Sequence, residues 1–127
     1  MRKLLASMIA AGSVLLLSAP AFSADICYIR EYQTLGIAGV QPAQIAAEPG
    51  VTDQVTADYT SGAVQSNLFQ PTTELIELWC NTQVSYLVGT NPTASSATNM
   101  PLAARTSKFI GVPIGGTTKI SVTLNSQ

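Results

Sequence analysis

Few residues in this chain are of types that do chemistry, and their spacing restricts what that chemistry can be. Cys27 and Cys80 are its two cysteines, and histidine is absent. Without histidine the commonest general base, the usual zinc ligand and the Ser-His and Cys-His catalytic arrangements are all missing. Three fates remain for the thiols: a disulfide, two separate buried thiols, or part of a metal site. One isolated pair does not supply the four ligands of a structural zinc. A Cys27–Cys80 bridge would close a loop of just over fifty residues, worth about 4 kcal/mol on the chain-entropy model. It requires Cα atoms within about 7 Å of each other.

The other candidates offer less. Glu74 and Glu77, three apart, fall on opposite faces of a strand, which rules out the paired carboxyls of a glycosidase from these two alone. Glu48, Asp53 and Asp58 could meet around calcium, which takes about six to eight oxygens, but their spacing matches no calcium loop. Ser107 and Lys108 are adjacent, so on a strand they point apart and share no proton. Gly115-Gly116-Thr117-Thr118-Lys119 lacks the Gly-Lys-Ser/Thr order of a phosphate loop, and its glycines fit the φ > 0 positions of a turn. The expectation is a non-enzymatic protein with no catalytic residue, no metal and no cofactor.

The N-terminus carries an address. Arg2 and Lys3, the uncharged apolar run of residues 4–17 and the small-x-small triplet Ala21-Phe22-Ser23 match a signal helix cleaved so that the mature chain begins at Ala24. A retained anchor is the rival, weakened by Ser7, Gly12, Ser13 and Pro20. Export to the periplasm or the extracellular space puts Cys27 and Cys80 where thiols are usually oxidised, which favours the disulfide. Contact with the membrane is then transient, through the signal segment alone. Residues 24–127 are one domain in size. Their four basic residues stand against seven acidic ones, a net charge of −3, so no basic patch for nucleic acid exists.

The segments after residue 23 read as strands and turns. Residues 26–33 alternate roughly, with Ile26, Tyr28 and Arg30 opposite Cys27, Ile29 and Glu31. Gly and Pro then punctuate the chain around residues 43–48, whose alanines keep a helix possible, and Val51, Val55 and Ala57 form the buried side of a second strand. Leu68 and Phe69 are expected to touch the core. Residues 74–80 alternate most clearly: Ile76, Leu78 and Cys80 face the core, while Leu75, Glu77 and Trp79 face away. Asn81-Thr82 is expected to turn this strand into a hairpin with residues 84–88. Residues 90–101 hold no large apolar side chain except Met100, which predicts an exposed loop with a contact role carried by Asn91, Pro92 and Thr93. Residues 108–112 and 119–124 are the closing strands. The fold predicted is all-β, a single small antiparallel β-sandwich of jelly-roll or immunoglobulin-like type. On its surface Trp79 is the aromatic residue best placed to anchor a partner, against the alternative that it is half-buried under a loop.

Residues 74–122 resemble a group of short phage-encoded proteins, virion-associated or of uncharacterised role, built on a small β-sandwich. The resemblance is carried by Glu74-Leu75-Ile76-Glu77-Leu78-Trp79-Cys80, Gly89-Thr90-Asn91-Pro92-Thr93-Ala94, Leu102-Ala103-Ala104 and Phe109-Ile110-Gly111-Val112-Pro113-Ile114-Gly115-Gly116. It implies a virion, cell-surface or assembly role through protein–protein contacts in several copies, a homo-oligomer. The leader and the cysteine pair depart from that pattern. The expectation is an exported structural or interaction protein of phage or prophage origin; the alternative is a periplasmic or secreted binding module for a small ligand or carbohydrate.

Overall fold

Alternation with a period of two residues builds the centre of the molecule, and polar residues decide how its edges are completed. The computed structural model describes residues 23–38 and 41–127. In chain order the strands are β1 (Cys27–Tyr32), β2 (Leu35–Ala38), β3 (Gln41–Ala46), β4 (Thr52–Val55), β5 (Val64–Gln65), β6 (Leu75–Cys80), β7 (Val84–Gly89), β8 (Met100–Leu102), β9 (Ser107–Gly111) and β10 (Lys119–Leu124). The first sheet has the order β4-β1-β6-β9 and the second β5-β10-β7-β8, while β2 and β3 form a separate two-stranded ribbon. All pairings are antiparallel. No helix forms among the described residues, so the chain is all-β there. The predicted signal helix lies outside the described residues.

Cys27 and Ile29 of β1 with Ile76, Leu78 and Cys80 of β6 pack against Val84, Leu102, Ile120 and Val122 of the second sheet. Tyr59, Phe69 and Val112, from the connections, close the same core. Each fully buried Ile, Leu or Val contributes about 1.5–3 kcal/mol. Cys27 and Cys80 sit directly opposite each other in the β1/β6 register with Cα atoms 4.0 Å apart, and they form a disulfide. Both are wholly buried. Gly116 has φ 69°, and a Cβ there would meet Pro71 and the Phe69 carbonyl at 3.2–3.3 Å, so the glycine belongs to a turn packed on residues 69–71.

Several expectations are corrected. Asn81-Thr82 does not make a hairpin: β6 pairs with β1 and β9, whereas β7 pairs with β10 and β8. A two-residue hairpin of the favoured kind needs φ > 0 at one or both central residues, which suits Gly and opposes the β-branched Thr82, and neither residue adopts it. Asn81 instead anchors a crossing between sheets, accepting from the Ile26 amide at 2.9 Å and donating to the Ala24 carbonyl at 2.8 Å. Residues 41–46 are strand, not helix.

The faces of β4 are the reverse of those expected. Val51 and Val55 are 40% and 55% exposed, and the inward positions are Thr52, Gln54 and Thr56. Polar groups inside set this register: Gln54 reaches the buried Glu31 at 2.6 Å and Thr56 Oγ1 accepts the Cys27 amide at 2.9 Å. Leu68 is exposed while Phe69 alone is buried. Finally, residues 90–99 are a strap, not a free loop, with Pro92 and Ala94 buried.

Candidate functional site

The two sheets expose very different outer faces. On the second sheet, Ser121 and Ser85 point away from the core, being the odd residues between Ile120 and Val122 and between Val84 and Tyr86, yet both are wholly buried. The strap covers them. Ser121 Oγ accepts the Ala94 amide at 3.0 Å, and Ser85 Oγ donates to the Asn99 carbonyl at 3.4 Å. Gln65 fastens the start of the strap, donating to Asn91 Oδ1 at 3.0 Å and to the Pro92 carbonyl at 2.6 Å. Small hydroxyl side chains under the strap let its backbone approach the sheet and find partners there.

The outer face of the first sheet is open. Pairing aligns Val55, Tyr28, Trp79 and Ser107 in one row across β4, β1, β6 and β9, and Asp53, Arg30, Glu77 and Phe109 in the next. Tyr28 and Trp79 have ring centroids 5.7 Å apart with planes tilted by 54°, a favourable aromatic geometry. Tyr28 and Phe109 are each about half exposed, and Trp79 is half-buried. Between the rows lies a concavity of about 330 Å³, lined chiefly by Tyr28, Arg30, Asp53, Val55, Glu77 and Trp79.

Its polar groups are arranged by one cation. Arg30 Nε and an η nitrogen donate to the two oxygens of Asp53 at 2.7 and 3.0 Å, and its other η nitrogen donates to Glu48 at 3.1 Å. These hydrogen bonds hold the Asp53 carboxyl below its ordinary range and the Arg30 guanidinium above its own. Gly50 is required nearby, because a Cβ would lie 2.9 Å from Arg30 Cγ. Tyr32, the next outward residue of β1, is buried against Phe109 with centroids 6.3 Å apart. Its hydroxyl lies 3.2 Å from both Glu48 and Glu77. Burial first, then the Glu77 carboxylate, pushes that hydroxyl up to about 12.

Sequence reasoning found Trp79 and its outward face. It placed Asn91, Pro92 and Thr93 in a contact loop, and the structure puts them over the outer face of the second sheet, on the opposite side of the molecule from Trp79. Asn91 and Thr93 are exposed there, but Pro92 is buried and its carbonyl is engaged. Asp58 lies apart from Glu48 and Asp53, bonded to the Thr60 amide and hydroxyl, which hold its carboxyl low. The missed neighbours of Trp79 were partly visible: Tyr28, Arg30 and Glu77 occupy outward positions in two legible strands, but nothing local says that those strands pair.

A second polar cluster is buried. Glu31 is wholly enclosed and accepts from Gln54 Nε2 at 2.6 Å, the Gln70 amide at 2.7 Å and Thr73 Oγ1 at 2.5 Å. Gln54 Oε1 accepts the Asn67 amide at 3.0 Å. The sequence signal was a carboxyl on the core side of an alternating strand. Among the described residues no group of three His, Cys, Asp or Glu side chains could hold a metal ion. No family model matches the chain, and comparison with curated proteins and with solved structures finds no similar one.

Proposed function

We propose that this chain is an exported, non-enzymatic interaction protein that docks protein partners, further copies of itself included, through the outer face of its first sheet. One observation carries the reading: the chain covers the outer face of one sheet with its own strap and leaves the other open, with Tyr28, Val55, Trp79 and Phe109 at its surface. Aromatic residues dominate interface energetics, and contiguous apolar patches mark interaction sites. The Cys27–Cys80 disulfide and the leader support an oxidising, exported location, periplasmic or extracellular. The strand orders support a jelly-roll assignment. Every connection from β4 to β10 crosses between the sheets except β7 to β8, and jelly rolls recur in virion and lectin domains. That assignment agrees with a phage-derived surface or particle component.

The test is the mass in solution of residues 24–127, disulfide intact, by light scattering across a concentration series. The wild type is expected to associate, and Trp79→Ala with Phe109→Ala to remain folded and monomeric. A wild type monomeric throughout, or variants that associate as the wild type does, would remove the self-docking role of this face. A second reading, a carbohydrate or small-ligand module, is favoured by the concavity beside Tyr28 and Trp79. A monomer whose tryptophan fluorescence responds saturably to neutral oligosaccharides would establish it.

A further inference from the structure

We infer that the Tyr28–Trp79 concavity receives a basic side chain, lysine or arginine, from a protein partner; this names the chemistry of the docking just proposed and rests on that reading. The argument is one of charge and unused valence. Glu48, Asp53 and Glu77 meet on this face with Arg30 as the cation among them. Glu77 stands directly opposite Arg30 in the β1/β6 register, yet Arg30 turns the other way, to Asp53 and Glu48. Among the described residues Glu77 makes no ion pair, and its hydrogen-bond donor is the Tyr32 hydroxyl. That hydroxyl has one proton and two carboxylates at 3.2 Å, Glu48 and Glu77, so one of them lacks a donor there.

An incoming cation supplies what is short. Its charge reaches Glu77 while its alkyl stem lies along Tyr28 and Val55, as long basic side chains do on apolar surface. The Trp79 ring beside Glu77 adds a cation–π attraction. An anionic group finds no comparable welcome, because Nε and both η nitrogens of Arg30 already donate to carboxylates. A neutral sugar would stack on the rings but leave the charge excess uncompensated.

Trp79 is the chain's single tryptophan, so tryptophan fluorescence, excited selectively over the tyrosines, reports this site alone. The disulfide-bonded protein is titrated, at constant ionic strength, with butylammonium and with the peptide acetyl-Gly-Lys-Gly-amide. Butanol and acetyl-Gly-Gln-Gly-amide are the neutral counterparts. The expected result is a saturable change with the two cations and not with the neutral molecules, weakened about fivefold by Glu77→Gln. Equal responses to the neutral counterparts, no saturable response to the cations, or an unchanged affinity in Glu77→Gln would overturn the inference. The two readings fail separately. If Trp79→Ala with Phe109→Ala abolishes association while the cations give no response, the docking face stands and the cation does not. If the cations bind while that variant still associates, docking of copies through this face falls.

Discussion

Glu31 is a carboxyl group wholly enclosed in protein, and three donors from two separate segments converge on it. It ties residues 70–73 and β4 to β1 with hydrogen bonds instead of apolar contacts. Glu31→Ala strands these donors without acceptors and is expected to lower stability by about 3 kcal/mol or more, with a smaller loss for Glu31→Gln, as measured by urea unfolding. Tyr32 gives a pH dependence. Its hydroxyl titrates at about 12 in the folded chain against an ordinary 10.0, so the unfolded chain releases this proton first. The stability the group contributes is complete below the ordinary value and is lost as pH rises towards the folded one. Urea midpoints are therefore expected to fall across that window, and to fall less steeply in Tyr32→Phe. In the sequence, the position of Glu31 among Cys27 and Ile29 was legible. Its partners were not, because Gln54 lies in a segment whose apolar pattern pointed to the opposite face and Gln70 and Thr73 in one with no such pattern.

At the level of elements, alternation named the inward face of β6 correctly and separated the two faces of β1 without saying which turns inward, and both strands are buried on one side by large apolar residues. It failed for β4, where the larger apolar residues face outward and polar ones complete the interior. Composition also misled for residues 90–99. A segment of Pro, Ala, Ser and Thr looks like a solvated loop, yet small side chains are what let a strap lie close on a sheet. Ala94→Arg is accordingly expected to lift the strap and lower stability by about 2 kcal/mol, read from the thermal midpoint. Edge strand β9 carries Lys108 opposite Leu78, on its core-facing side. A charge in that position discourages pairing with another sheet edge. Lys108→Val is expected to increase aggregation on mild heating, followed by light scattering, with little change in the unfolding midpoint.

For the whole molecule, the disulfide clamps two adjacent strands of one sheet across a sequence separation of 53 residues. Cys80→Ala is expected to lose about 2–5 kcal/mol in oxidising buffer. The wild type should lose a similar amount when reduced, so that the two converge under reductant. The pairing was favoured in the sequence because the expected leader and the count of cysteines agreed. The sheet order was not, because it depends on contacts between distant segments. That order has a consequence for how the protein is made. β1 lies inside the first sheet, between β4 and β6, and β10 lies inside the second, between β5 and β7. Synthesis delivers β1 before any of its partners exists, and β10 after all of its partners have waited for it. The first sheet is complete only once β9 has been made and the second only once β10 has, so both sheets wait for the C-terminal end of the chain before they can close.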